Sequence, residues 1–131
     1  MKLTLSVLPG RLAICRLAPD EALPEWALAG QGFVSLSRTP DELSVVCPEA
    51  LVPEGVRSEK GWRTFRIEGP LDFTLTGILT YLLQPLAQQQ ISIFTVSTFD
   101  TDYILVKEEK LPEAIQVLKK ICEVREIPNI F

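Results

Sequence analysis

Between residues 75 and 123 the apolar residues change their spacing twice, and few folds accommodate that change. In "DFTLTGILTYLLQPLAQQQ" Leu75, Ile78, Leu79, Leu82, Leu83 and Leu86 recur at helical intervals. "ISIFTVSTFDTDYILV", residues 91 to 106, then sets two β-branched and aromatic runs either side of a polar elbow, as two antiparallel strands would. "LPEAIQVLKKICE" returns to helical spacing, with Leu111, Ile115, Leu118 and Cys122 on one face. In front of them "WRTFRIEG" alternates, with Arg63, Phe65 and Ile67 carrying most of the apolar load. The order is therefore β-α-β-β-α over 62–123, the element order of a ferredoxin-like unit.

The ends of these elements carry their own signals. Asp72 or Thr74 can cap the first helix, and Pro85 should kink it or end it near Gln88 to Gln90. The charged Glu108, Glu109 and Lys110 read as a solvated first turn of the next helix. "VREIPNIF" offers a closing edge strand, limited by Pro128.

The first half is less regular. "LTLSVL" (3 to 8) and "RLAICRL" (11 to 17) flank Pro9-Gly10, which predicts a hairpin. "EALPEWALAG" predicts a stubby helix, and "GFVSLS" and "LSVVC" predict strands joined by the turn "RTPDE". "PEALVP" has room for one or two helical turns. When the chain is slid by 60 positions, residues 33–51 lie over 93–111 and match Ser37 with Ser97, Val46 with Val106, Glu49 with Glu109 and Leu51 with Leu111. Glu42 then falls on Asp102. Both halves thus share one element order, which predicts two similar units side by side.

Composition narrows the function. A chain of 131 residues, 47% apolar and 23% charged, fits one compact domain or two small halves. Its net charge of -4 and lack of a basic run argue against nucleic acid and anionic membranes as partners. No apolar run reaches the roughly 18 residues of a membrane helix. Pro9, Gly10 and Arg11 interrupt the apolar start in a way a signal peptide would not tolerate, so the expected location is the cytoplasm. Cys15, Cys47 and Cys122 are too widely spaced for a metal or redox pair and read as reduced core thiols. The absence of histidine removes the usual triads, zinc sites and acid-base groups active near neutrality. No catalytic residues, metal site or cofactor are expected, and the chain reads as a non-enzyme.

The elbow Ser97-Thr98-Phe99-Asp100-Thr101-Asp102 is the richest chemical feature. A small ligand that carried both an anionic and a cationic group would need N-H donors for the one and an acid for the other. A helix starting near Thr74 supplies the donors, Asp102 or Asp72 the acid, and Phe99 a wall. Spacing alone favours the plainer alternative, in which Asp72 and Thr74 are caps and the elbow is turn chemistry. Asp100 and Asp102 also form a D-x-D capable of holding Mg2+ in a metal-assisted enzyme, but no further ligands follow in a metal-loop pattern.

The run "TGILTYLLQPLAQQQISIFTVSTFDTDYILV", with Gly77 near the helix start followed by "S-T-F-x-x-D-x-I-L-V", resembles the ACT domain. More narrowly, it resembles the ACT pairs of aspartate kinases and the small ACT-like proteins related to the CASTOR arginine sensors. The resemblance covers about 62–122. It implies an α+β fold of two tandem ferredoxin-like (ACT, βαββαβ) units whose antiparallel sheets are covered by helices. Residues 1–61 would be a degenerate N-terminal unit and 62–131 the C-terminal ACT domain.

The same resemblance implies a regulatory or sensor protein that binds a free amino acid or similar metabolite between ACT units, with a homodimer as the expected partner arrangement. The matching positions are Asp72, Phe73, Thr74, Leu75, Thr76 and Gly77 in the loop, with Thr98, Phe99 and Asp102 in the hairpin. In the arginine sensors the matching acid meets the ligand's positive charge. One departure stands out: typical ACT domains have Pro-Gly where this chain has Thr76-Gly77. The rival expectation is an interaction and oligomerisation module that binds no ligand.

Overall fold

The computed structural model describes residues 2–69 and 76–127. The fold is α+β and contains two compact units, one formed by residues 1–9 with 63–131 and the other by residues 10–62. Asp72, Phe73, Thr74 and Leu75 lie outside the described residues, as does Pro128.

The larger unit takes the first residues of β1 (Thr4–Leu17) and the last of β4 (Ser58–Ile67). It continues through α2 (Ile78–Gln88), β5 (Ile93–Ser97), β6 (Asp102–Lys107), α3 (Leu111–Lys119) and β7 (Glu123–Glu126). Its strands lie in the order β7-β1-β4-β6-β5. The β5–β6 ladder is antiparallel and runs from Ile93 opposite Val106 to Ser97 opposite Asp102. One face of the sheet buries Leu5, Val7, Phe65, Ile67, Ile104 and Val106 against Ile78, Leu82 and Leu86 of α2 and Leu111, Ala114 and Leu118 of α3. Phe65, Ile67, Ile78, Leu82, Leu86, Leu111 and Leu118 are positions read from the sequence, whereas Ala114 takes the place on the buried face of α3 expected for Ile115, which with Cys122 is only partly buried. At roughly 1.5–3 kcal/mol for each large apolar side chain buried, this cluster dominates the unit's stability.

The smaller unit uses the remainder of β1, then α1 (Glu25–Leu28), β2 (Ser35–Arg38), β3 (Leu43–Pro48), a 3-10 turn over Glu49–Leu51, and the start of β4. Its strand order is β2-β3-β1-β4, and Ala13, Cys15, Ala27, Leu43, Val45 and Cys47 form its core. The thiols of Cys15 and Cys47 are free, buried and hydrogen-bonded to each other. Burial raises both, Cys47 to about 11, so at neutral pH they are packed thiols rather than nucleophiles. Glu49 fixes the 3-10 turn by accepting from the Gly61 N-H at 2.7 Å and pairing with Arg11 at 3.2 Å.

Three expectations need correction. Pro9-Gly10 does not reverse the chain. Residues 4–17 form one strand whose buried face keeps its parity from Leu5 and Val7 to Ala13 and Cys15. Gly10 takes φ +84 within the strand, where it acts as a local irregularity and not a turn. The two segments find other partners, since residues 4–7 pair with β7 and residues 12–17 pair with β3.

The β1–β7 ladder is parallel, so the larger unit's sheet is not purely antiparallel. The N-terminal strand lies between β4 and β7, and only one of those two neighbours can run opposite to it if β4 and β7 themselves run in opposite directions. Finally, α2 begins at Ile78 with Gly77 as its N-cap, a full turn later than a Thr74 cap implies, and it continues through Pro85 to Gln88.

Candidate functional site

The corner between β5 and β6 is closed by its own hydroxyls. The Thr98 N-H donates to the Thr101 carbonyl at 2.8 Å, and the Thr98 Oγ1 donates to the same carbonyl at 3.1 Å. The Thr101 N-H reaches back to the Thr98 Oγ1 at 3.4 Å. Ser97 donates its hydroxyl to the Asp102 Oδ1 at 2.5 Å across the last rung of the ladder. Phe99, at the tip, is 79% exposed, and Asp100 beside it is also exposed.

Thr101 is the residue that sequence reasoning passed over. It is 3% exposed, and its Oγ1 donates to the Ile67 carbonyl at 2.6 Å. Ile67 ends β4, so this bond holds the corner against the point where the chain leaves for α2. A threonine in a turn is too common a signal to reveal such a role, because its partner is 34 positions away. Thr101→Val should cost about 1–3 kcal/mol by leaving a buried carbonyl without its donor. Chemical denaturation checks this, with Thr101→Ser expected to stay close to wild type.

Asp102 follows the corner on the same strand face as Ile104 and Val106, which belong to the helix-covered core. Its carboxylate therefore stands at the end of the face that α2 covers, half-buried, with Ser97 occupying one oxygen. Thr76 and Gly77 are exposed at the start of α2. Gly77 caps the helix at φ +79 and ψ 0 with no side-chain hydrogen bond, a backbone conformation that glycine adopts without strain. The first helical bond runs from the Tyr81 N-H to the Gly77 carbonyl at 2.9 Å. The N-H groups of Ile78, Leu79 and Thr80 therefore have no partner within the helix.

The structure thus brings Thr98, Phe99 and Asp102 into one corner, with Thr76 and Gly77 at the helix start of the same unit. Thr98 spends its hydroxyl on the turn itself. Among the described residues no group of three or more His, Cys, Asp or Glu side chains converges, at Asp100 or elsewhere.

The corner of the smaller unit is built in the same way. The Thr39 N-H donates to the Glu42 carbonyl at 2.9 Å, and the Thr39 Oγ1 accepts from the Glu42 N-H at 3.1 Å. Thr39 and Thr98 are 59 residues apart, so the sequence match at 60 is slipped by one. The register confirms the slip, since Arg38 opposes Leu43 as Ser97 opposes Asp102. Core faces then coincide as well, with Val45 corresponding to Ile104 and Cys47 to Val106. The residue equivalent to Asp102 is Leu43, not Glu42, and it is fully buried.

Comparison with known proteins agrees with this geometry. Residues 57–120 match the model of an ACT domain, and a separate N-terminal-domain model matches residues 10–55. The chain is 42% identical over 60 residues to the Homo sapiens cytosolic arginine sensor for mTORC1 subunit 1, covering 45% of this chain and only 18% of that protein. The crystal structure of protein Atu0741 from Agobacterium tumefaciens is similar with a TM-score of 0.92 and 39% identity, covering 98% of this chain and 96% of that one. The regulatory subunit of aspartate kinase from Thermus thermophilus shares the fold, with a TM-score of 0.62 at 14% identity over 88% of this chain and 95% of that one. Among the described residues no helix is long and apolar enough to cross a membrane.

Proposed function

Because residues 57–120 match an ACT domain, we propose that the chain is a cytoplasmic amino-acid sensor whose ligand binds at the β5–β6 corner facing the start of α2. It is a regulatory module and not an enzyme. Residues 10–62 are read as a second, reduced ACT-like unit, with α1 four residues long and, after β3, a single 3-10 turn that matches the one at 108–110 but leads into no helix.

One observation carries the ligand reading. A half-buried acid, Asp102, sits on the helix-covered face in a corner that Thr101 ties to the end of β4. The ligand's ammonium or a cationic side chain meets Asp102. Its carboxylate takes the N-H groups of the first turn of α2, at the positive end of the helix dipole. Phe99 covers the ligand, and Asp72, Phe73, Thr74, Leu75 and Thr76 supply the loop before the helix, as the family resemblance implies. A second ACT unit, contributed by a partner copy in a homodimer, closes the site. Binding then acts by linkage, because the ligand stabilises the arrangement that it bridges and so changes what the dimer presents. The similarity to an arginine sensor supports a nitrogen-rich, cationic amino acid as the first candidate.

Thermal unfolding of the full chain against a panel of free amino acids tests this proposal. At least one amino acid, supplied well above its Kd, should raise Tm by several degrees through preferential binding to the folded state. A panel that leaves Tm unmoved at millimolar concentration contradicts amino-acid sensing.

A further inference from the structure

The two hairpin corners differ in what reaches across them. In the smaller unit Arg38, immediately before the corner, extends its guanidinium to the loop between β1 and α1. Nη1 donates to the Pro19 carbonyl, and Nη2 donates to the Glu21 carbonyl at 2.9 Å. Arg16 adds a bond from Nη2 to the Asp41 carbonyl at 2.9 Å, which holds the corner to the end of β1. In the larger unit the position of Arg38 is taken by Ser97, whose short side chain reaches only Asp102. No acid follows the first corner, because Leu43 stands where Asp102 does. One corner therefore has a tethered cation held by loop carbonyls, and the other has an acid with no long cationic side chain at the equivalent position.

We propose that Arg38 is the resident occupant of the smaller unit's corner, a tethered guanidinium that closes this corner to free ligand. The planar fork of a guanidinium suits two diverging carbonyls, which a point-charge ammonium cannot serve equally. The chain would then bind one ligand per copy, at Asp102. That stoichiometry rests on the proposed function, whereas the occupancy of the corner by Arg38 does not.

Hydrogen exchange of the full chain separates the two claims, because it reads residues 18–23 directly. Arg38→Ser, which copies position 97, should make these amides exchange about tenfold faster by removing two charge-assisted bonds. Millimolar ethylguanidinium should restore their protection and ethylammonium should not. Arg38→Lys keeps the charge and the stem, remains folded, and should give only partial protection. The proposal is overturned if Arg38→Ser leaves exchange unchanged, if Arg38→Lys protects fully, or if the two cations act alike. None of these readings depends on whether an amino acid binds at Asp102.

Discussion

Phe65→Ala should destabilise the larger unit by about 3–5 kcal/mol, the range for emptying a buried aromatic site. Phe65 is fully buried on β4, in the cluster that seats α2 and α3 on the sheet. In the same cluster Leu82 and Leu86 of α2, Ile104 of β6 and Leu118 of α3 are also fully buried, so three elements surround the site and cannot close the void without shifting a helix. A loss of this size is a large fraction of the 5–15 kcal/mol typical of a whole domain. Urea unfolding should show a lower midpoint with an unchanged slope. A loss below about 1 kcal/mol would mean that the cluster collapses freely and does not hold the helices in place.

The second large effect concerns binding. Asp102→Ala should weaken the affinity for a cationic or ammonium-bearing amino acid by about 2–5 kcal/mol, the cost of leaving one charge of a bonded pair without its partner. Stability should change far less, since Asp102 is only half-buried and Ser97, which donates to its carboxylate, is exposed and can turn to water. Calorimetric titration of the variant and wild type with the amino acid selected by thermal shift measures the difference. Equal affinities would reduce Asp102 to a turn residue.

Much of the larger unit was legible because its signals are local and periodic. The spacing of Leu82 and Leu86 and of Leu111 and Leu118 reports a buried helix face directly, as Phe65 and Ile67 report a strand face, and those faces pack as read. The failures arose where a partner is remote. Pro9-Gly10 resembles a turn within any short window, yet residues 4–7 pair with a strand near 123–126. The internal match at 60 was chosen by identities such as Val46 with Val106, although Val45 and Cys47 are the residues on the core face. A slip of one residue reverses every side chain on a strand, so the match named Glu42 as the counterpart of Asp102 where Leu43 belongs.

The candidate site divides in the same way. Thr98, Phe99 and Asp102 were legible through the ACT hairpin motif, whereas Thr101 has no motif and is identified only by its bond to Ile67. Asp72 and Thr74 are the residue types that favour an N-cap, but a left-handed glycine, Gly77, takes that role. That shift moves the donor groups to Ile78, Leu79 and Thr80.

The most direct measurement is an amide NMR titration of the full chain with the amino acid that raises Tm most. Binding at the corner predicts saturable shifts concentrated in residues 76–80 and 97–102, which Asp102→Ala abolishes. Shifts that cluster elsewhere, or that persist undiminished in Asp102→Ala, would contradict the account.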